Sequence, residues 1–148
     1  MKKNSRVSVA LHSLIHLSSV DRPLTSEELG ECQQTNPVII RRALGELKKA
    51  GIVTSEKGHG GGWTIIKKLK DISFQDIFKA LDDSLLPAPI VLEEDEHCLI
   101  MKSLASTMDE FLEEAEILMA KKLSKLNLKQ MMDTINSLKE QENVSQIK

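Results

Sequence analysis

Apolar side chains at Val7, Leu11, Leu14 and Ile15 recur at helical spacing, which predicts a first helix from about Ser5 to Ser19, closed by Arg22-Pro23. Lys2, Lys3 and Arg6 stand at its start. Thr25 then opens Thr-Ser-Glu-Glu, a capping box in which the Thr25 hydroxyl accepts from a helix amide while Glu28 reaches back, so a short helix follows to about Cys32. Asn36-Pro37 restarts the chain with a favoured cap and a proline suited to a first helical position, and Ile39, Ile40, Ala43, Leu44 and Leu47 carry the period to Ala50 before Gly51 ends it. The period then changes. Ile52 to Ser55 and Trp63 to Ile66 are β-prone runs separated by Glu-Lys-Gly-His-Gly-Gly-Gly, the pattern of a hairpin with a flexible, partly basic tip. Ser73-Phe-Gln-Asp76 opens a further helix to about Leu81 with Ile77, Phe78 and Leu81 inward.

Leu85 to Ile90, with Pro87 and Pro89, reads as a linker. Beyond it, Met101, Leu104, Met108, Phe111, Ala115 and Leu118 alternate in steps of three and four, the seam of a helix that packs along its length. A helix from Glu94 to Leu123 would be roughly 45 Å long and should project to find a partner. Asn127 can cap a last helix containing Met131, Met132, Ile135 and Leu138, and the polar stretch from Glu140 is expected to fray. The organisation expected is a DNA-binding module over residues 1–84, a linker over 85–93, dimerisation helices over 94–140 and a tail over 141–148.

The chain has 148 residues, 41% apolar and only 3% aromatic, which suits one helix-rich domain with an extension and leaves no room for a large two-domain enzyme. No stretch approaches the roughly 20 apolar residues of a membrane span and no secretion signal is apparent, so a cytoplasmic protein is expected. The net charge of −2 conceals an asymmetry: residues 1–80 hold 13 Lys or Arg against 8 Asp or Glu, and residues 81–148 hold 7 against 14. A basic front and an acidic back suit a polyanion-binding module joined to a segment that turns elsewhere.

Three helices followed by a two-stranded hairpin is the order of a winged helix-turn-helix domain, so the fold class expected is mostly α with a small β-hairpin wing plus a long C-terminal dimerisation helix. The recognition helix would be Pro37 to Ala50. Its first turns present Asn36, Val38, Arg41 and Arg42: arginine suits guanine edges or phosphate, asparagine suits adenine, and valine can meet a thymine methyl. With Arg6, Thr25 and Pro37, and with Lys57, Gly58 and His59 on the wing, these form the candidate interface for a palindromic duplex. The competing reading is that Arg41-Arg42 is a solvated face and the glycines only a turn, since winged helices also serve as protein-interaction modules.

Thr25-Ser-Glu-Glu-Leu, Leu47-Lys-Lys-Ala-Gly-Ile-Val-Thr-Ser55, Gly58-His-Gly-Gly-Gly-Trp63 and Ile72-Ser-Phe-Gln-Asp-Ile77 resemble the Rrf2 family of bacterial winged-helix transcription regulators, and Asn36-Pro-Val-Ile-Ile-Arg-Arg42 resembles one subgroup of it. The resemblance covers essentially the whole chain and implies a homodimer with long crossing C-terminal helices. Cluster-binding members carry three cysteines at the start of the long helix. Only Cys98 stands there in this chain, so the resemblance is to a non-cluster, thiol-sensing subgroup and no cofactor is expected.

Cys32 lies just before the recognition helix and Cys98 at the start of the dimer helix, which suggests an intersubunit Cys32–Cys98 disulfide that alters DNA affinity. A helix N-terminus favours the thiolate of Cys98, Glu93, Glu94, Asp95 and Glu96 oppose it, and His97 helps only when protonated. The alternatives are that both thiols are simply buried, or that a small molecule is the inducer. His12 and His16, one turn apart, lack an obvious third metal ligand, and no metal site is expected. No nucleotide-binding, nucleophile-elbow or metalloprotease motif appears, so a repressor rather than an enzyme is expected.

Overall fold

The computed structural model describes residues 5–83 and 98–146, with side chains through 142. The linker proposed over 85–93, Glu94 to His97, Lys2 and Lys3 lie outside the described residues. In chain order the elements are α1 (Arg6–Ser18), α2 (Ser26–Gln33), α3 (Pro37–Lys49), β1 (Val53–Glu56), β2 (Gly62–Ile65), a 3-10 turn (Leu69–Asp71), α4 (Phe74–Ala80), α5 (Leu99–Leu123) and α6 (Leu128–Gln146).

Each early helix starts where a side chain can satisfy its free amides. Ser5 caps α1 by accepting from Ser8 N at 3.1 Å. Thr25 and Glu28 close the capping box on α2, at 3.2 and 2.8 Å, and Ser73 with Asp76 does the same for α4 at 3.1 and 3.0 Å. Glu28 is also held by Arg22, whose guanidinium lies 2.8 Å away and, with the Thr25 amide, pulls the carboxyl down to about 2. The turn between α2 and α3 depends on Gly30: a Cβ there would come within 2.9 Å of the Thr35 carbonyl. That carbonyl approach lets Thr35 N donate to Gly30 O at 2.9 Å and brings α3 across α2.

One core joins the first four helices to the hairpin. Leu14 from α1, Leu29 from α2, Ile40, Leu44 and Leu47 from α3, and Ile77 from α4 are fully buried, with Val53 of β1 and Ile52 just before it. β1 and β2 pair antiparallel, Val53 opposite Ile65 and Glu56 opposite Gly62. Leu24 adds a short third rung, exchanging backbone hydrogen bonds with Trp63 at 2.8 and 3.1 Å. Gly62 permits it, because its φ of +149° and a Cβ–Leu24 O separation of 2.7 Å exclude any side chain.

The C-terminal helices behave differently from each other. α6 is tied to the front module: Leu128 is fully buried in its core, Leu128 N donates to Ile72 O at 3.0 Å, Phe74 N donates to Leu126 O at 2.9 Å, and the Ser18 hydroxyl donates to Met132 Sδ at 3.2 Å. The last helix is therefore anchored on the module at its start. It also runs to Gln146, past Glu140 where fraying was expected, since no glycine or proline interrupts 140–146. α5, by contrast, contains no buried residue in 25.

Candidate nucleic-acid interface

The recognition helix is built by its cap and its buried stripe. Asn36 Oδ1 accepts from Val38 N at 2.9 Å, Pro37 occupies the first turn, and Ile40, Ala43, Leu44 and Leu47 turn one face into the core. At 100° per residue the direction opposite that stripe carries Val38, Arg42, Gly45 and Lys49, with Arg41 and Lys48 on the flank towards α2 and β1. Val38, Arg41, Arg42, Lys48 and Lys49 are all exposed.

Several candidate residues already have partners. The cap engages one lone pair of the Asn36 carbonyl oxygen and fixes where it points, so a two-point reading of adenine would have to use the second lone pair beside the amide nitrogen. Arg41 forms an ion pair with Glu27 of α2. Both side chains are more than half exposed, and such pairs are worth about 0–1 kcal/mol, so a guanine edge or a phosphate can displace Glu27. The hydroxyl oxygen of Thr25 accepts from Glu28 N in the cap at 3.2 Å. Arg6 donates from Nη2 to the Asp82 carbonyl at 3.1 Å, tying the start of α1 to the end of α4. Arg6 and Arg42 both line a cleft of about 300 Å³, together with Ala43, Glu46, Ala80, Leu81 and Asp82.

Lys57, Gly58 and His59 sit together at the exposed wing tip. The wing glycines divide by role. Gly58 and Gly60 take positive φ with open space around them, whereas Gly61 and Gly62 are needed by the protein's own backbone, since a Cβ on Gly61 would lie 2.5 Å from Glu56 O. Trp63 anchors the wing to α2, its indole N–H donating to the Ser26 hydroxyl at 3.0 Å.

The three residues that the sequence reading did not place in the interface are Glu27, Lys48 and Lys49. Lys48 and Lys49 follow Arg41 and Arg42 by seven residues, two turns along the same face, which is the signal for them. Glu27 becomes relevant only once α2 and α3 cross.

The remaining candidates lie elsewhere. Cys32 is exposed on α2, and Cys98 is half-buried at the start of α5, where its side chain makes no capping hydrogen bond. His12 and His16 stack with ring centroids 4.9 Å apart. Burial, then the neighbouring His12 and Lys139 of α6, hold the half-buried His16 imidazole below its ordinary value. Met101, Met108 and Ala115 are half-buried on α5, while Leu104, Phe111 and Leu118 are 47%, 62% and 58% exposed along one line.

Comparison with known proteins follows from this geometry. The profile of the Rrf2 family, described as an iron-dependent transcriptional regulator, matches residues 3–134. YwnA of Bacillus subtilis, provisionally named an HTH-type transcriptional regulator, is 32% identical over 130 residues, covering 88% of this chain and 96% of its own. A crystal structure described provisionally as a DNA-binding protein is 30% identical, with a TM-score of 0.70 over 86% of this chain and 99% of that one. A regulator structure from Lactobacillus plantarum, also provisionally described, shares the fold with a TM-score of 0.76 at 21% identity, over 95% of this chain and 99% of that one.

The iron in the family's description does not fit the donors among the described residues. The chain has two cysteines, on α2 and at the start of α5, and among the described residues no group of three or more His, Cys, Asp or Glu is placed to hold a metal ion. Nor is any helix among the described residues long and apolar enough to cross a membrane.

Proposed function

The chain belongs to the Rrf2 family of transcriptional regulators, and on that premise we propose that it acts as a homodimeric, cytoplasmic repressor that reads a palindromic operator through α3 and the wing. It is a DNA-binding regulator and not an enzyme.

The observation that carries the dimer is α5. Its 25 residues include none that is buried, yet they align Leu104, Phe111 and Leu118 on one exposed face. Covering the exposed halves of those three side chains is worth roughly 2 to 4 kcal/mol per protomer, and a second copy of the same helix supplies a matching stripe. Two front modules on a common axis then present two α3 helices to two half-sites. The basic composition of residues 1–80 supports a duplex as the target.

Within this reading the candidate contacts are Arg6, Asn36, Val38, Arg41, Arg42, Lys57, Gly58 and His59, with Thr25 and Pro37 shaping the surface. Thiol sensing through Cys32 and Cys98 is the proposed signal, favoured by the exposed position of Cys32 beside the turn into α3 and by the placement of Cys98 at the start of the proposed dimer helix.

The test is duplex selection. Fragments enriched by the protein from a genomic pool should share an inverted repeat and bind with an affinity that falls linearly in log–log terms with salt. Failure to enrich any duplex, with retention of a partner protein instead, would move the winged helix to a protein-interaction role.

A further inference from the structure

Gly45 lies in the middle of α3, is absent from the positive-φ glycines, and would place an added Cβ with no heavy atom of the chain within 4 Å. A glycine inside a helix is disfavoured against alanine by roughly fivefold in the folding equilibrium. Neither packing nor backbone geometry within the chain asks for this one. Gly30 and Gly62 differ, since an added Cβ at either would come closer than 3.0 Å to a neighbouring backbone atom.

A second observation surrounds the first. Arg41, Arg42, Lys48 and Lys49 stand at i−4, i−3, i+3 and i+4 from Gly45, which are its neighbours on the helix surface, and all four are exposed. Their charges are only partly answered. Arg41 meets Glu27 and Lys49 meets Glu46 at 2.9 Å, both on the surface, while Lys48 donates to the Ser55 hydroxyl at 2.8 Å and Arg42 has no carboxylate partner among the described residues. Like charges gathered on one helix face weaken the helix unless a counter-charge arrives from outside.

A half-exposed stretch of helix backbone with room beside it, ringed by four cations, fits one kind of occupant: an anionic strand thin enough to lie against the helix. We propose that a sugar-phosphate strand of the duplex crosses α3 over Gly45, with its phosphate among the four cations. Lys48 and Lys49 then hold the strand from one side, and Arg41 and Arg42 extend past it into the groove. This rests on the DNA-binding reading above and sharpens it, because it fixes where along α3 the groove wall passes. A methyl group at position 45 would hold the phosphate off the helix and lengthen every contact in the ring.

The experiment uses the full chain and a duplex selected by the wild type from a random pool, with affinity measured at several KCl concentrations for wild type, Gly45→Ala and Gly45→Gln. Both variants should melt at or above the wild-type temperature. Gly45→Ala should nevertheless bind at least tenfold more weakly, Gly45→Gln more weakly still, and both with a shallower dependence of log K on log[KCl]. Wild-type affinity and slope in either variant would overturn the crossing at Gly45 while leaving the function intact. Lower melting temperatures would overturn it as well, by showing that the glycine serves the fold. A wild-type protein that binds no duplex would overturn both readings.

Discussion

In the proposed reading Arg41 exchanges Glu27, its partner in the free protein, for a base edge or phosphate in a complex, and the two contacts are unequal in strength. The exposed pair with Glu27 is weak, whereas a good bidentate contact to guanine discriminates by on the order of 1 to 3 kcal/mol. Replacing Arg41 by alanine should therefore relax sequence preference at one position per half-site by about that amount. Lys57→Ala, on the wing tip, should weaken all duplexes alike and flatten the salt dependence. Binding to a panel of single-base operator variants separates them; a uniform loss for Arg41→Ala would assign it to the phosphates. Cap residues such as Thr25, Asn36 and Ser73 were legible in the sequence because a cap is a contact over two or three residues. The Arg41–Glu27 pair was not, because it spans 14 positions and exists only where α2 crosses α3. Asn36 shows how two local rules compete: the oxygen that would help read adenine is the one that caps the helix.

Among the elements, α1 to α4 and the hairpin follow the sequence pattern to within a residue or two, since their periods and stop signals are local. α6 runs on to Gln146, past the polar stretch from Glu140, because no glycine or proline breaks it there. Its start is fixed by a tertiary contact, Leu128 in the module's core, which no local pattern announces. The proposed redox switch belongs at this scale, because it would join α2 of one protomer to the start of α5 in the other. After mild oxidation, wild type should run as a covalent dimer on a non-reducing gel, and Cys32→Ser and Cys98→Ser should each run as monomers. Full crosslinking of either single variant, or unchanged operator affinity after oxidation, would eliminate the switch in favour of a small-molecule inducer. Bridging requires Cα atoms within roughly 7 Å, so the geometry is demanding.

For the molecule as a whole, the account depends on an asymmetry between two bodies of structure. The front module encloses its own core, with 19 buried apolar residues including Leu128 of α6, while α5 keeps none. Because α5 contributes nothing buried to that core, charges placed on it should leave the module folded and act on association alone. The seam was legible as a period of three and four; which half of it stays exposed was not, because that depends on how α5 leaves the module. The direct measurement is sedimentation of the wild type and of Leu104→Glu/Phe111→Glu, each alone and with a selected duplex. The wild type should sediment as a dimer and place two chains on one duplex. The double variant should be a folded monomer that binds the duplex far more weakly. A double variant that remains dimeric, or that binds the operator as tightly as wild type while monomeric, would contradict an operator read by two protomers joined through α5.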